Sequence, residues 1–152
     1  RNTAFQPDKV RPPEALLADL VRQPSARVRA AVIAVLLSHL AYAEAVPAAL
    51  ERLSSAERLT FQSFYAAAVL LQQEHADRLR PFVARRWRWL PDPGRVAPGW
   101  GAPTGGTPRE KLTTLGFEDR RRAQEVVNWT GTYEQVVRQL LRQWDLESRW
   151  NQ

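Results

Sequence analysis

The chain reads as an all-α protein: stacked antiparallel helical hairpins, then a long loop rich in proline and glycine, then C-terminal helices. Three observations predict this. Apolar residues recur at helical spacing in the regular stretches, and no segment holds the two-residue period of a strand with conviction. The run Ala30-Ala31-Val32-Ile33-Ala34-Val35-Leu36-Leu37 is apolar on every side of a helix and therefore calls for burial, so the first half is read as packed around it. Helix-capping signatures also recur along the chain. At 152 residues there is material for one ordinary core without staples.

Pro12-Pro13-Glu14 starts the first helix with proline in its first turn, and Leu16, Leu17, Leu20 and Val21 form its apolar face up to Gln23-Pro24. Ser25 caps a central helix running to about His39. A shorter helical piece spans Tyr42 to Leu53, with Pro47 as a first helical residue. Ser54-Ser55-Ala56-Glu57 is a capping box opening a helix over 55–77, whose Ala66 to Leu71 stretch is again apolar all round. From Leu90 to Thr107, five glycines and four prolines argue against regular structure. Thr107-Pro108-Arg109-Glu110 caps a short helix that Gly116 closes. Phe117 to about Trp129 forms the next, and Thr132-Tyr133-Glu134-Gln135 caps the last, with Tyr133, Val137, Leu140, Leu141 and Trp144 facing inward. The chain thus divides into a hairpin region (1–89), a loop or linker (90–107) and C-terminal helices (108–152) that pack on the first part as one domain.

Ser25-Ala26-Arg27-Val28-Arg29-Ala30-Ala31 resembles the Val-Arg-x-x-Ala start of the second helix in HEAT-like repeats. The alternation of short and long helices over the first eighty residues is similar too. The resemblance covers two units. The second has Leu59-Thr60 in place of Val-Arg, and the unit spacing is shorter than the roughly 40–47 residues of the family. It implies a divergent helical scaffold that binds another macromolecule.

Composition excludes whole classes of chemistry. With no cysteine there is no disulfide framework, thiolate nucleophile or cysteine-built metal site. The longest apolar run falls far short of the roughly 20 residues of a membrane helix, and Arg1-Asn2-Thr3 opens no signal pattern. The expectation is a soluble cytoplasmic protein without a cofactor or a membrane partner. The net charge of +6 is localised: residues 78–122 hold eleven basic side chains against four acidic ones, whereas residues 1–77 are balanced at eight each. An anionic partner should therefore meet that segment.

Arg78 to Trp89 interleaves arginines with Phe82, Trp87 and Trp89. Arginines on phosphates beside stacked indoles are the chemistry of single-strand binders, and Arg120, Arg121 and Arg122 extend the patch. The preferred reading has Phe82, Trp87 and Trp89 capping the core while arginine stems lie over the rings and their heads reach water. A membrane-surface helix fits less well because Pro81 interrupts it. His39 and His75, near the ends of the two buried helices, form an acid/base or metal pair only if those helices meet. Their spacing matches no ligand motif, so capping of helix-end carbonyls is the preferred role. Gly101 to Pro108 lacks the lysine of a phosphate loop, and Asn128-Trp129-Thr130 reads as a helix end.

The leading expectation is a non-enzymatic accessory protein that binds a protein partner. Its candidate binding residues are Arg85, Arg86, Trp87, Arg88, Trp89, Arg120, Arg121 and Arg122. The alternative is a sequence-tolerant module for RNA or DNA using the same residues. An enzyme built on His39 and His75 ranks third.

Overall fold

In a computed structural model, residues 11–96, 105–123 and 129–150 are described, without the side chains of 116–123 and 129–132. Among them every regular element is helical: α1 (Pro13–Val21), α2 (Ala26–Arg29), α3 (Ala31–Ser38), α4 (Val46–Glu51), α5 (Ser55–Glu74), α6 (Ala76–Val83), α7 (Pro93–Val96), α8 (Pro108–Ala123) and α9 (Trp129–Trp150), with 3-10 turns at Leu40–Ala45 and Ala84–Arg86. The protein is all-α. No single helix among the described residues is long and apolar enough to cross a membrane. Ala26–Ser38 and Leu40–Glu51 reach that apolarity only together and are bent by 116°.

The helix at the centre is α5. Ten successive residues, Ser63 to Gln72, are buried, so it is covered on every side, by α3, α8, α9 and the short α7 among others. Alanines at 66, 67 and 68 make this approach feasible, because a side chain of one carbon lets neighbouring helices come close from several directions. The apolar run around α3 behaves differently from the expectation. Val32, Ile33, Leu36 and Leu37 are buried, but Ala34 and Val35 are only half-buried and line an open groove. One continuous cluster of buried side chains joins Leu17 on α1 to Leu112 and Leu115 on α8 and to Tyr133, Val137, Leu140 and Leu141 on α9.

Several boundaries depart from the sequence reading. Ala30 separates α2 from α3, yet Ile33 N donates to Ala30 O at 3.0 Å, so the step is one tightened turn in a continuing rod. The long helix ends at Glu74, because His75 adopts φ −115° and restarts the chain as α6. Pro81 does not interrupt α6: it sits near the end of an eight-residue helix, where one missing N–H costs a single bond. The proline-rich segment does contain a turn of helix, α7, where Asp92 Oδ2 accepts from Gly94 N at 3.1 Å with Pro93 first in the helix. Gly116 does not close a helix, since α8 runs on to Ala123. A mid-helix glycine costs only about 1 kcal/mol, which burial of Leu112 and Leu115 against the core outweighs. The last helix already includes Trp129, so Thr132 lies inside it and does not cap it. Asn128 lies outside the described residues, as do residues 101–104 of the glycine-rich stretch.

The start of α5 matches its signature. Ser54 Oγ accepts from Glu57 N at 3.2 Å, and Ser54 N donates to Glu57 Oε1 at 2.9 Å. The backbone bond at Ser54 holds the Glu57 carboxyl below its ordinary value of 4.5 against a desolvation effect that opposes it, with Arg22 adding to the lowering. Arg22 also donates to the Arg52 carbonyl, and Arg58 Nε to the Leu50 carbonyl at 2.8 Å, satisfying the end of α4.

Ser54→Ala should destabilise the protein by about 1 kcal/mol in urea unfolding. Because the folded-state pKa of Glu57 is depressed, its contribution is present above 4.5 and is lost as pH falls through the folded value. The difference between wild type and Glu57→Gln, which lacks that charge at every pH, should therefore narrow as the titration is carried below pH 4.5.

Candidate functional site

The arginine–tryptophan segment is built by a change of direction at Ala84. This residue leaves α6 with φ 53° and ψ −117°, a conformation that glycine favours and that costs an alanine about 1–3 kcal/mol. Trp87 N then donates to Ala84 O at 3.0 Å, and the chain continues as extended backbone. That backbone is fastened to α5 by two side chains seven residues apart, hence on one face of the helix. Gln72, 1% exposed, donates through Nε2 to Arg88 O at 2.8 Å and accepts through Oε1 from Leu90 N at 2.8 Å. Its amide thus stands in for a neighbouring strand. Tyr65 OH donates to Pro91 O at 2.7 Å. Burial, reinforced by the Asp92 charge and partly offset by Arg95, pushes the Tyr65 hydroxyl far above its usual range, so it remains a donor.

This reversal brings Trp87 and Trp89 back beside α6. The two indoles meet edge to face, with centroids 5.3 Å apart and planes at 75°. The Arg80 guanidinium lies over both rings, 5.0 Å from the Trp87 centroid and 5.8 Å from that of Trp89. Trp87 is half-buried against the core, with its Nε1 enclosed and lacking a hydrogen-bond partner among the described residues. Trp89 is 52% exposed. Arg88 is turned toward Glu44, with Nη1 3.1 Å from Oε1. Arg85 and Arg86, on the turn, are exposed. Arg120, Arg121 and Arg122 occupy the last turns of α8, and their side chains lie outside the described residues.

The expected capping of the core by Phe82, Trp87 and Trp89 therefore holds for Trp87 alone. Phe82, 40% exposed, stands on the other flank of α6, where its ring meets Trp144 at 5.3 Å between centroids. It borders a groove of about 610 Å³ with Ala34, Val35 and His39 along α3, Arg86 on the turn, and Leu140 and Glu147 on α9.

The two histidines have separate partners. His39 stacks on Tyr42, with centroids 4.8 Å apart. His75 Nε2 lies 3.0 Å from Glu134 Oε2, and Arg109 Nη1 lies 3.9 Å from the other oxygen, so this cluster fastens the end of α5 to the starts of α8 and α9. Neither ring serves as the expected cap of a helix-end carbonyl: both are taken up by side chains, one by stacking and one by a carboxylate. Among the described residues no group of three or more histidine, aspartate or glutamate side chains could hold a metal ion.

Arg80 is the residue that sequence reasoning passed over. The signal for it is the cation–ring pair Arg80 and Trp87, seven apart, but the helix stops at Val83, so only the turn at Ala84 brings them together. Comparison with family models, with curated proteins and with solved structures returns no match for this chain.

Gln72→Leu keeps the volume but leaves Arg88 O and Leu90 N without partners. It should cost about 2–4 kcal/mol, measured by urea unfolding, with a red shift in tryptophan emission as Trp87 loses its packing. Ala84→Gly should act in the opposite direction: relief of strain exceeds the added chain entropy of glycine, for a gain of about 1 kcal/mol, read as a raised Tm.

Proposed function

We propose that the protein is a non-enzymatic helical accessory protein that binds another protein through the surface of α6, the turn Ala84–Arg86 and the extended residues Trp87 to Trp89. The observation that carries this reading is Trp89, a half-exposed indole on backbone that Gln72 and Tyr65 already hold in place. An aromatic anchor on rigid backbone loses little conformational freedom on binding, and tryptophan and arginine dominate the energetic centres of protein interfaces. The HEAT-like resemblance of the first eighty residues points to the same kind of role.

A second reading, a sequence-tolerant nucleic-acid module, draws on Arg85 and Arg86, which make no ion pair among the described residues, and on the charge of Arg120, Arg121 and Arg122. It ranks lower. Arg88 is engaged with Glu44, and the ring faces that bases would stack on are shared with Arg80.

The test is copurification after nuclease treatment, wild type beside Trp89→Ala, followed by titration of the purified pair. A stoichiometric protein partner bound at least about tenfold more weakly by Trp89→Ala, at unchanged Tm, is the expected result. Binding of oligonucleotides with a steep salt dependence, and of no protein, would select the second reading.

A further inference from the structure

We infer that Arg80, whose guanidinium lies over Trp87 and Trp89, is an anchor for a carboxylate, and that the partner contributes an acidic segment with an apolar side chain for Trp89. This rests on the protein-binding reading above and names the chemistry of the partner.

Eight other arginines are engaged within the protein. Arg11, Arg22, Arg52, Arg88, Arg109 and Arg149 each lie within ion-pair distance of a carboxylate. Arg29 and Arg58 donate to backbone carbonyls. Arg80, like Arg27, Arg78, Arg85, Arg86, Arg95, Arg138 and Arg142, has neither kind of partner among the described residues; it alone of these lies over indole rings there. What holds it is the pair of indole faces. A guanidinium held by the attraction of ring faces uses none of its N–H donors on a carboxylate or carbonyl, so they remain for a ligand. The rings narrow the rotamers open to it, and the planar fork of donors suits bidentate recognition of a carboxylate.

The surroundings set the sign and the spacing of the ligand. Arg78, Arg85 and Arg86 are exposed nearby in the chain and raise the local potential, so a cation over the same rings is disfavoured. The acids of the region, Glu44, Asp77 and Asp92, interrupt that field. A nucleic-acid backbone carries a charge at every nucleotide and would meet these acids repeatedly. A protein segment places carboxylates only where arginines await them. A base stacking on these rings would share them with Arg80. The exposed part of Trp89 remains for an aliphatic side chain next to the carboxylate.

The experiment is fluorescence anisotropy with three labelled probes: a peptide of glutamate and leucine, its glutamine–leucine counterpart, and an oligothymidylate of the same length. Each is titrated with the wild type, Arg80→Gln, Arg80→Lys and Arg85→Gln. The expected result is binding of the glutamate peptide alone, weakened at least about tenfold by Arg80→Gln. Arg80→Lys keeps the charge over the rings without the fork, and should fall between the two. Arg85→Gln should give a smaller loss and a shallower salt dependence. Near-ultraviolet circular dichroism reports whether the Trp87–Trp89 pair survives each change, and Arg80→Lys carries the test if Arg80→Gln disturbs it. Equal affinity in wild type, Arg80→Gln and Arg80→Lys would overturn the assignment, and so would failure of the glutamate peptide to bind at all. Tighter binding of oligothymidylate than of the glutamate peptide, lost in Arg80→Gln, would overturn it in favour of phosphate. A partner that is lost on Trp89→Ala but held unchanged by Arg80→Gln would leave the protein-binding role standing while sinking this one.

Discussion

The side-chain amide of Gln72 is the constraint on which the functional surface depends. It sits in the covered part of α5, where an amide left without partners would cost several kilocalories per mole. Arg88 O and Leu90 N satisfy it, and in return they are obliged to lie against the helix. Tyr65 repeats the device two turns earlier with Pro91 O. A stretch that carries two tryptophans and three arginines between residues 85 and 89 would otherwise be free to wander. These bonds fix its backbone from beneath, with Trp87 turned toward the core and Arg85, Arg86, Arg88 and Trp89 exposed.

Helix α6 then has two unlike flanks. On one, Arg80 lies over Trp87 and Trp89. On the other, Phe82 and Trp144 stand at the edge of the groove with the uncovered side of α3. The division follows from helix geometry, since residues two apart point about 200° away from each other while Leu79 and Val83 occupy the buried face between them. Basic and apolar surfaces are thus displayed side by side by one short helix. Its direction is held from the far end by His75, which meets Glu134 where α5 gives way to α6.

Much of this architecture can be read from local pattern. The capping box at Ser54 and Glu57, the cap at Thr107, which accepts from Glu110 N at 3.2 Å, and the inward stripe of the last helix from Tyr133 to Leu141 are all present. Each depends on residues three or four apart in one helix. The misread boundaries share a different cause. Gly116, Pro81 and Thr132 carry breaking or capping tendencies worth about 1–3 kcal/mol, and packing of the surrounding helix outweighs them. The centre of the fold lies away from the most apolar run for a related reason. Ala30 to Leu37 is the more apolar run, but α5 with its small alanines is the one that other helices can surround.

The sequence by itself determined the helical class, the main caps and the concentration of positive charge after residue 77, because these follow from local periodicity and composition. Tertiary structure alone decided which arginines are neutralised, which indoles are buried and that Arg80 shares a face with Trp87 and Trp89. Those outcomes hang on contacts between residues far apart in the chain, such as Arg88 with Glu44, and on a strained turn at Ala84 that alanine does not announce. A pattern of neighbours fixes the direction of a side chain within its own helix. What that side chain meets is fixed by where the other helices come to rest.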